Sequence, residues 1–292
     1  MARTRVLVTG ASGLLGGRLA ELLARSHDVI AMRHEAPVPS GLDAVDGDLL
    51  DGQALDRAFD VARPDAVLHS AAIADPDRCD REPELARRIN VDASAEVAAR
   101  CGRRGLRLVT LSTDLVFDGE RALSSEETPP RPILYYGHTK LDAEGAVLAA
   151  SPDAVILRVA LVIGRGYGSR KTATEAVAAT LAAGGRPRLF HDQYRTPIDP
   201  DSVADAVTRV FARPVSGRFH LGGAERISRY ELGQRVARVL GLPEHLERTD
   251  EASQAVRRPR DASFDSGRAR RELGWEPRPL DDAIRDGRRP TV

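Results

Sequence analysis

The stretch Val6-Leu7-Val8-Thr9-Gly10-Ala11-Ser12-Gly13-Leu14-Leu15-Gly16 constrains the fold of this chain more than any other. A strand-type run leads into a glycine-rich turn, after which Leu15, Leu19, Leu22 and Leu23 repeat at helical spacing. Gly10 can take a backbone shape barred to residues with a Cβ. Gly13 lets the backbone approach a pyrophosphate, and Gly16 lets the helix pack closely on the strand. The helix start then offers unpaired N–H groups and a positive dipole end to phosphate. Glycine patterns alone are weak; a position after the first strand and before an amphipathic helix gives this one its meaning. Gly10, Ser12, Gly13, Leu14, Leu15 and Gly16 are therefore the expected dinucleotide contacts.

Further strand candidates follow at Val29–Met32, Ala44–Asp48, Ala66–Ser70, Arg107–Leu111 and Ala154–Val159. Several are near-continuous apolar runs, as in parallel sheets covered on both faces. Helical spacing separates them, around Ile89–Ala98 and from Tyr136 to Leu148. The alternation predicts an α/β fold, a Rossmann-type doubly wound parallel sheet. After Gly164 the rhythm changes. A polar loop, Arg165-Gly166-Tyr167-Gly168-Ser169, precedes helices at Thr174–Ala183, Val203–Phe211 and Arg229–Leu240 and a strand at Arg218–Leu221. From about Glu251 the tail is rich in arginine and proline and holds the single tryptophan, Trp275. The reading is a dinucleotide-binding domain over 1–164 plus about 190–222, with a smaller C-terminal substrate-binding lobe over about 165–189 and 223–292.

Charge excludes some functions. Lys+Arg and Asp+Glu both number 43, so no net field favours nucleic acid or a membrane surface. Two cysteines, Cys79 and Cys101, make neither a disulfide framework nor a structural zinc site. The histidines form no metal-ligand motif, so no metal is expected. No run is apolar enough to span a bilayer. A cytoplasmic protein is expected.

At the end of the second strand an acid favours NAD, whereas a nearby arginine accommodates the extra phosphate of NADP. Met32-Arg33-His34-Glu35 offers both. Arg33 can pair with a phosphate dianion in forked geometry, which favours NADP(H) over NAD(H); the alternative sets Glu35 on the ribose. Asp48 and Leu49 are placed to flank the adenine.

Tyr136 and Lys140 stand at i and i+4, on one face of a helix. A phenol titrates near ~10, and a neighbouring ammonium would lower that value and make it a usable acid or base. Upstream, Ser112-Thr113-Asp114 begins where a strand ends, the place where open α/β sheets bind ligands. Thr113 or Ser112 could hydrogen-bond a substrate carbonyl there.

These stretches together resemble an extended short-chain dehydrogenase/reductase, within it the dTDP-4-dehydrorhamnose reductase family, which also contains the regulatory β subunit of methionine adenosyltransferase. The resemblance runs through Val8–Gly16, Ser112–Gly119, Tyr136–Lys140, Asp192–Pro197, His220–Gly223 and Arg258–Asp261. It implies that Thr113 is the catalytic hydroxyl, Tyr136 the acid, and Lys140 its partner, which also holds the nicotinamide ribose. It implies cofactor contacts from Ser70, Ala71 and Ala72. Asn90 matches an asparagine near the site and, with Ser112, is an expected substrate contact; Arg195, Thr196 and Pro197 match a segment lining the substrate pocket. Leu115 and Ser70 stand where the family often has tyrosine and asparagine, and Arg195 where many members have a small residue. The implied activity is NADPH-dependent reduction of the 4-keto group of a nucleotide-linked 6-deoxysugar, with dTDP as the nucleotide. Arg195, Arg257, Arg258 or Arg260 would grip the diphosphate. Two other activities share the scaffold: a non-catalytic NADP-binding regulatory subunit, and an epimerase or dehydratase. A homodimer is a further expectation.

Overall fold

A computed structural model of the chain describes residues 3–250 and 257–287. The strands are β1 (Arg5–Thr9), β2 (Asp28–Arg33), β3 (Asp43–Asp46), β4 (Ala66–His69), β5 (Arg107–Thr113), β6 (Val155–Val159), β7 (Arg188–Phe190), β8 (Tyr194–Arg195), β9 (Gly217–Leu221), β10 (Ile227–Ser228) and β11 (Glu247–Thr249). The helices are α1 (Leu14–Leu23), α2 (Gly52–Ala62), α3 (Pro76–Arg81), α4 (Pro83–Arg87), α5 (Ala93–Arg104), α6 (Tyr135–Ala150), α7 (Ala173–Ala182), α8 (Pro200–Phe211), α9 (Arg229–Leu240), α10 (Gly267–Leu273) and α11 (Leu280–Asp286). Seven strands form one parallel sheet in the order β3-β2-β1-β4-β5-β6-β9. The order reverses between β1 and β4, so the carboxyl ends of these two strands open a crevice, where doubly wound folds bind ligands.

The sequence explains the layers. Every residue of β4 and β6 is buried, which is why both read as unbroken rather than alternating runs. Leu19, Leu23, Val203, Val207 and Val210 on α1 and α8 fill one face of the sheet. Leu55, Phe59, Val97 and Val147 on α2, α5 and α6 fill the other. A third cluster joins Val177 and Leu181 on α7, Val236 and Leu240 on α9, and Ile284 on α11. Every member of this cluster lies beyond residue 160. Part of the tail packs elsewhere than the sequence reading places it: Phe264, Leu273 and Trp275 bury in the sheet's own core. The reason is the indole N–H of Trp275, which donates to the Ser202 carbonyl on α8 at 2.8 Å, so this large ring is fully buried with its polar atom satisfied. Residues 251–256 and 288–292 of the expected lobe lie outside the described residues. Among the described residues, no helix is long and apolar enough to cross a membrane.

Local signals set the boundaries that matter for the site. Ser228 and Glu231 form a reciprocal cap at the start of α9, and Gly241 ends that helix at φ +63°. Between α4 and α5 the helix does not stop. Arg88–Asp92 forms a π turn, an insertion of one residue into an otherwise continuous helix and a frequent mark of a functional site.

Candidate active site

The glycine turn is built as its sequence demands. Gly10 has φ +70°, and a Cβ there would lie 2.5 Å from the Ala71 nitrogen. A Cβ on Gly16 would lie 2.2 Å from Ser70 Oγ and 2.3 Å from the Gly10 carbonyl oxygen. The start of α1 thus rests against the ends of β1 and β4 with no room for a methyl group. Ser70 Oγ donates to the Thr9 carbonyl at 2.6 Å and closes the joint. A cleft of about 370 Å³ opens over this turn. Gly10, Gly13, Leu14, Leu15, Gly16, Ser70 and Ala72 line one end, and Thr113, Tyr136 and Lys140 line the other. Ser12 is exposed on the turn, while Ala71 contributes backbone against Gly10.

At the chemical end, Thr113 closes β5 and Tyr136 lies in the first turn of α6. Thr113 Oγ1 accepts from the Leu115 N–H at 3.2 Å and donates to Asp114 Oδ1 at 3.1 Å. Tyr136 lines the cleft with Thr113, and its pKa is raised by burial and then by the Asp114 charge, against a smaller lowering from Thr113. The net direction is therefore upward, where the neighbouring-ammonium reading expects a lowered value. Burial pushes Lys140 itself down to about 8, against the pull of Glu144 one turn on. Tyr136 is consequently held as the protonated phenol, the form that can give a proton to a developing alkoxide.

The supporting structure around Tyr136 and Lys140 is specific. Asn90, on the π turn, accepts from the Ile73 N–H at 2.8 Å and donates to the Ile73 carbonyl and to Thr139 Oγ1. Thr139 Oγ1 donates to the Tyr136 carbonyl at 2.8 Å. Asn90 is fully buried, so it is a tie between the loop after β4 and α6, not the substrate contact the sequence reading expects. Ser112 lines the first cleft, and its hydroxyl donates to Glu144 Oε1 at 2.6 Å. Glu144 is 1% exposed and also receives Arg158 Nε at 2.8 Å, Arg158 Nη2 at 2.7 Å and Arg218 Nε at 2.8 Å. Thr196 is buried too, its Oγ1 taken by the Phe264 N–H. The corrections for Asn90 and Thr196 share one cause: each polar group is satisfied by a partner distant in sequence.

Beside the first cleft lies a second, of about 420 Å³, lined by Arg188, Gln193, Arg195, Arg229 and Arg258. Asp114, Leu115 and Leu161 stand on the walls of both. Arg195 is a strut: its Nη atoms donate to the carbonyls of Tyr194, Pro259 and Arg260. Arg229 is half-buried, and burial, with Arg195 alongside, brings its pKa to about 10. Arg258 is paired with Asp77 at 3.0 Å, and Arg257 with Glu120. Arg260 stands 4.0 Å from Asp192 and does not line this cleft. Arg229 and Gln193 are functional candidates that the sequence reading misses. The capping box Ser228-Arg229-Tyr230-Glu231 fixes where α9 starts, but nothing local shows what its first residue faces.

At the far edge of the sheet, Arg33 ends β2 and is exposed, with its Nε 2.8 Å from Asp46 Oδ1. Asp48 accepts from the Leu50 N–H, and Leu49 packs against the core beneath. From the other side Arg170 and Lys171 line the first cleft, carried by a loop whose Tyr167 N–H donates to the Leu14 carbonyl at 2.9 Å.

A Rossmann-type sheet with a threonine at the end of β5 and Tyr-x-x-x-Lys opening α6 defines an extended short-chain dehydrogenase/reductase. The RmlD substrate binding domain family model matches residues 4–288, and the chain belongs to that family. It is 32% identical over 288 residues to the probable low-salt glycan biosynthesis reductase Agl14 of Haloferax volcanii, covering 95% of each chain. It is 32% identical over 272 residues to methionine adenosyltransferase 2 subunit beta of Pongo abelii, covering 89% of this chain and 80% of that one. Among solved structures it superposes on a hypothetical dTDP-4-dehydrorhamnose reductase from Sulfolobus tokodaii with a TM-score of 0.83 and 34% identity, covering 95% and 98% of the two chains.

Proposed function

We propose that this protein reduces the 4-keto group of a dTDP-linked 6-deoxysugar with NADPH. The observation that carries the reading is the joining of two clefts at Asp114. One is fitted to a dinucleotide and carries Thr113, Tyr136 and Lys140. The other is lined by arginines suited to a diphosphate. The cofactor would lie with its pyrophosphate on the Gly10–Gly16 turn and supply the hydride when bound. Arg33 would reach the adenosine 2′-phosphate by exchanging Asp46 for it, with Asp48 and Leu49 by the adenine. Tyr136 would give its proton to the carbonyl oxygen, and Thr113 would orient that oxygen. Lys140, positioned by α6, would hold the nicotinamide ribose. Arg229 and Arg258 would bind the diphosphate, and the smaller lobe around α7, α9 and α11 would close over the nucleotide. The working unit would be a homodimer in the cytoplasm.

The test is NADPH oxidation, followed by absorbance, against dTDP-4-keto-6-deoxysugars, with NADH for comparison. Tyr136→Phe should lose at least about a hundredfold in kcat while still binding NADPH. Full activity in that variant would refute the mechanism. A second reading, a non-catalytic NADP-binding regulatory subunit, draws support from the likeness to methionine adenosyltransferase 2 subunit beta over 89% of this chain. NADPH binding without oxidation on any keto-sugar, together with co-purification of a synthetase, would favour it.

A further inference from the structure

Asp114 is used by neither the dinucleotide turn nor the tyrosine–lysine pair, yet it stands where the two clefts meet. It is 5% exposed. Its Oδ1 receives the Thr113 hydroxyl at 3.1 Å. Its Oδ2 is buried and has no hydrogen-bond partner. Arg195 Nε is the nearest cation at 3.6 Å, an ion pair too long for a hydrogen bond. Arg195 cannot close that distance freely, because its other nitrogens are held by the Tyr194, Pro259 and Arg260 carbonyls. A buried carboxylate oxygen left without a donor is costly, and such an atom beside a catalytic hydroxyl calls for a donor brought by the ligand.

We infer that Asp114 Oδ2 accepts a hydrogen bond from the sugar hydroxyl on C3, the carbon next to the reacting carbonyl. The inference rests on the reductase reading above and names its substrate class: α-hydroxy ketones. Thr113 fixes the geometry: its hydroxyl rests on one carboxylate oxygen at the end of the cleft that Tyr136 also lines, and the other oxygen is left for the substituent beside the reacting carbonyl. In a 4-keto-6-deoxysugar C5 carries a methyl group, so the C3 hydroxyl is the one donor directly adjacent to the carbonyl carbon. A site built around a substrate hydroxyl discriminates strongly against the analogue that lacks it, because its own polar group is then stranded.

The experiment compares dTDP-4-dehydrorhamnose with its 3-deoxy analogue in calorimetric titrations with NADP+ present, which has no hydride to give. The wild type should bind the hydroxyl-bearing ligand roughly ten- to a hundredfold tighter. Asp114→Ala should bind both within about threefold of each other, and Asp114→Asn, which keeps a neutral acceptor, should restore part of the preference. Equal affinities in the wild type, or an undiminished preference in Asp114→Ala, would overturn the assignment. If Asp114→Ala does not fold, the wild type and Asp114→Asn decide. Absence of NADPH oxidation on the hydroxyl-bearing ligand would sink the reductase reading, while the binding preference still judges Asp114. Failure of the wild type to bind either ligand at millimolar concentration overturns both.

Discussion

Replacing Glu144 by alanine isolates the buried charge network beneath the catalytic helix. Glu144 and Arg158 are each 1% exposed, and four hydrogen bonds, from Ser112, Arg158 and Arg218, end on this one carboxylate. Burial opposes its charge, but those donors hold its pKa below the ordinary value of 4.5. Without it the Arg158 guanidinium keeps its His220 contact at 3.2 Å but loses its counter-ion in the interior. Breaking a buried pair this way costs about 3–5 kcal/mol, far more than an exposed pair is worth. For a chain of this size that is a fall in Tm of roughly 5–8 °C. Differential scanning calorimetry at pH 7 would read it. The double variant Glu144→Ala/Arg158→Met should recover most of the loss, because removing both charges also removes the desolvation cost. The pH sign follows from the lowered pKa. The stabilisation is complete above about pH 4.5 and is lost as pH falls through the lower folded-state value, so the gap between wild type and variant should narrow in acid. A loss under about 1 kcal/mol in Glu144→Ala would refute the reasoning.

Two further outcomes follow from the site. Gly16→Ala should weaken NADPH binding at least about tenfold and lower stability by about 1–3 kcal/mol, because the new methyl meets the Gly10 carbonyl and Ser70; fluorescence titration of NADPH with unchanged affinity would contradict this. Lys140, held at about 8 against an ordinary 10.5, binds its proton less readily folded than unfolded. Folding should therefore gain up to about 3 kcal/mol from this group as pH rises from 8 to 10.5, relative to Lys140→Met. Chemical denaturation of both proteins across that range would show it, and a pH-independent difference would argue against it.

The parts of the fold that local chemistry encodes are legible in the chain. The turn at Gly10–Gly16, the apolar runs of β1, β4 and β6 and the i, i+4 pair in α6 each carry their own signal. β3 was harder to bound: Asp43–Asp46 forms the strand where the composition points to Ala44–Asp48, since strand ends depend on the partner's length. The site divides along the same line. Thr113, Tyr136 and Lys140 meet as their motifs predict. Asn90 and Thr196 line neither cleft, because Ile73 and Phe264 claim them across 17 and 68 residues of chain, and Ser112 lines the first cleft with its hydroxyl given to Glu144, 32 residues on. No window of sequence shows such a claim. Arg229 is hidden for the converse reason: its neighbours fix a helix cap, while its exposure to the second cleft depends on β7 and the Arg258–Pro259 segment.

The π turn at Arg88–Asp92 has a consequence for anyone re-engineering this scaffold. One surplus residue puts the two halves of a helix about 100° out of phase, the angular step of a single α-helical residue. Asn90 makes its hydrogen bonds to Ile73 and Thr139 from within that turn. Deleting one residue between Arg88 and Asp92 would give a smoother helix with stronger i→i−4 bonding, and would swing Asn90 away from Tyr136's helix. A regularised version of this segment would thus be a better helix in a worse enzyme, and homologue grafts here must preserve length before they preserve identity.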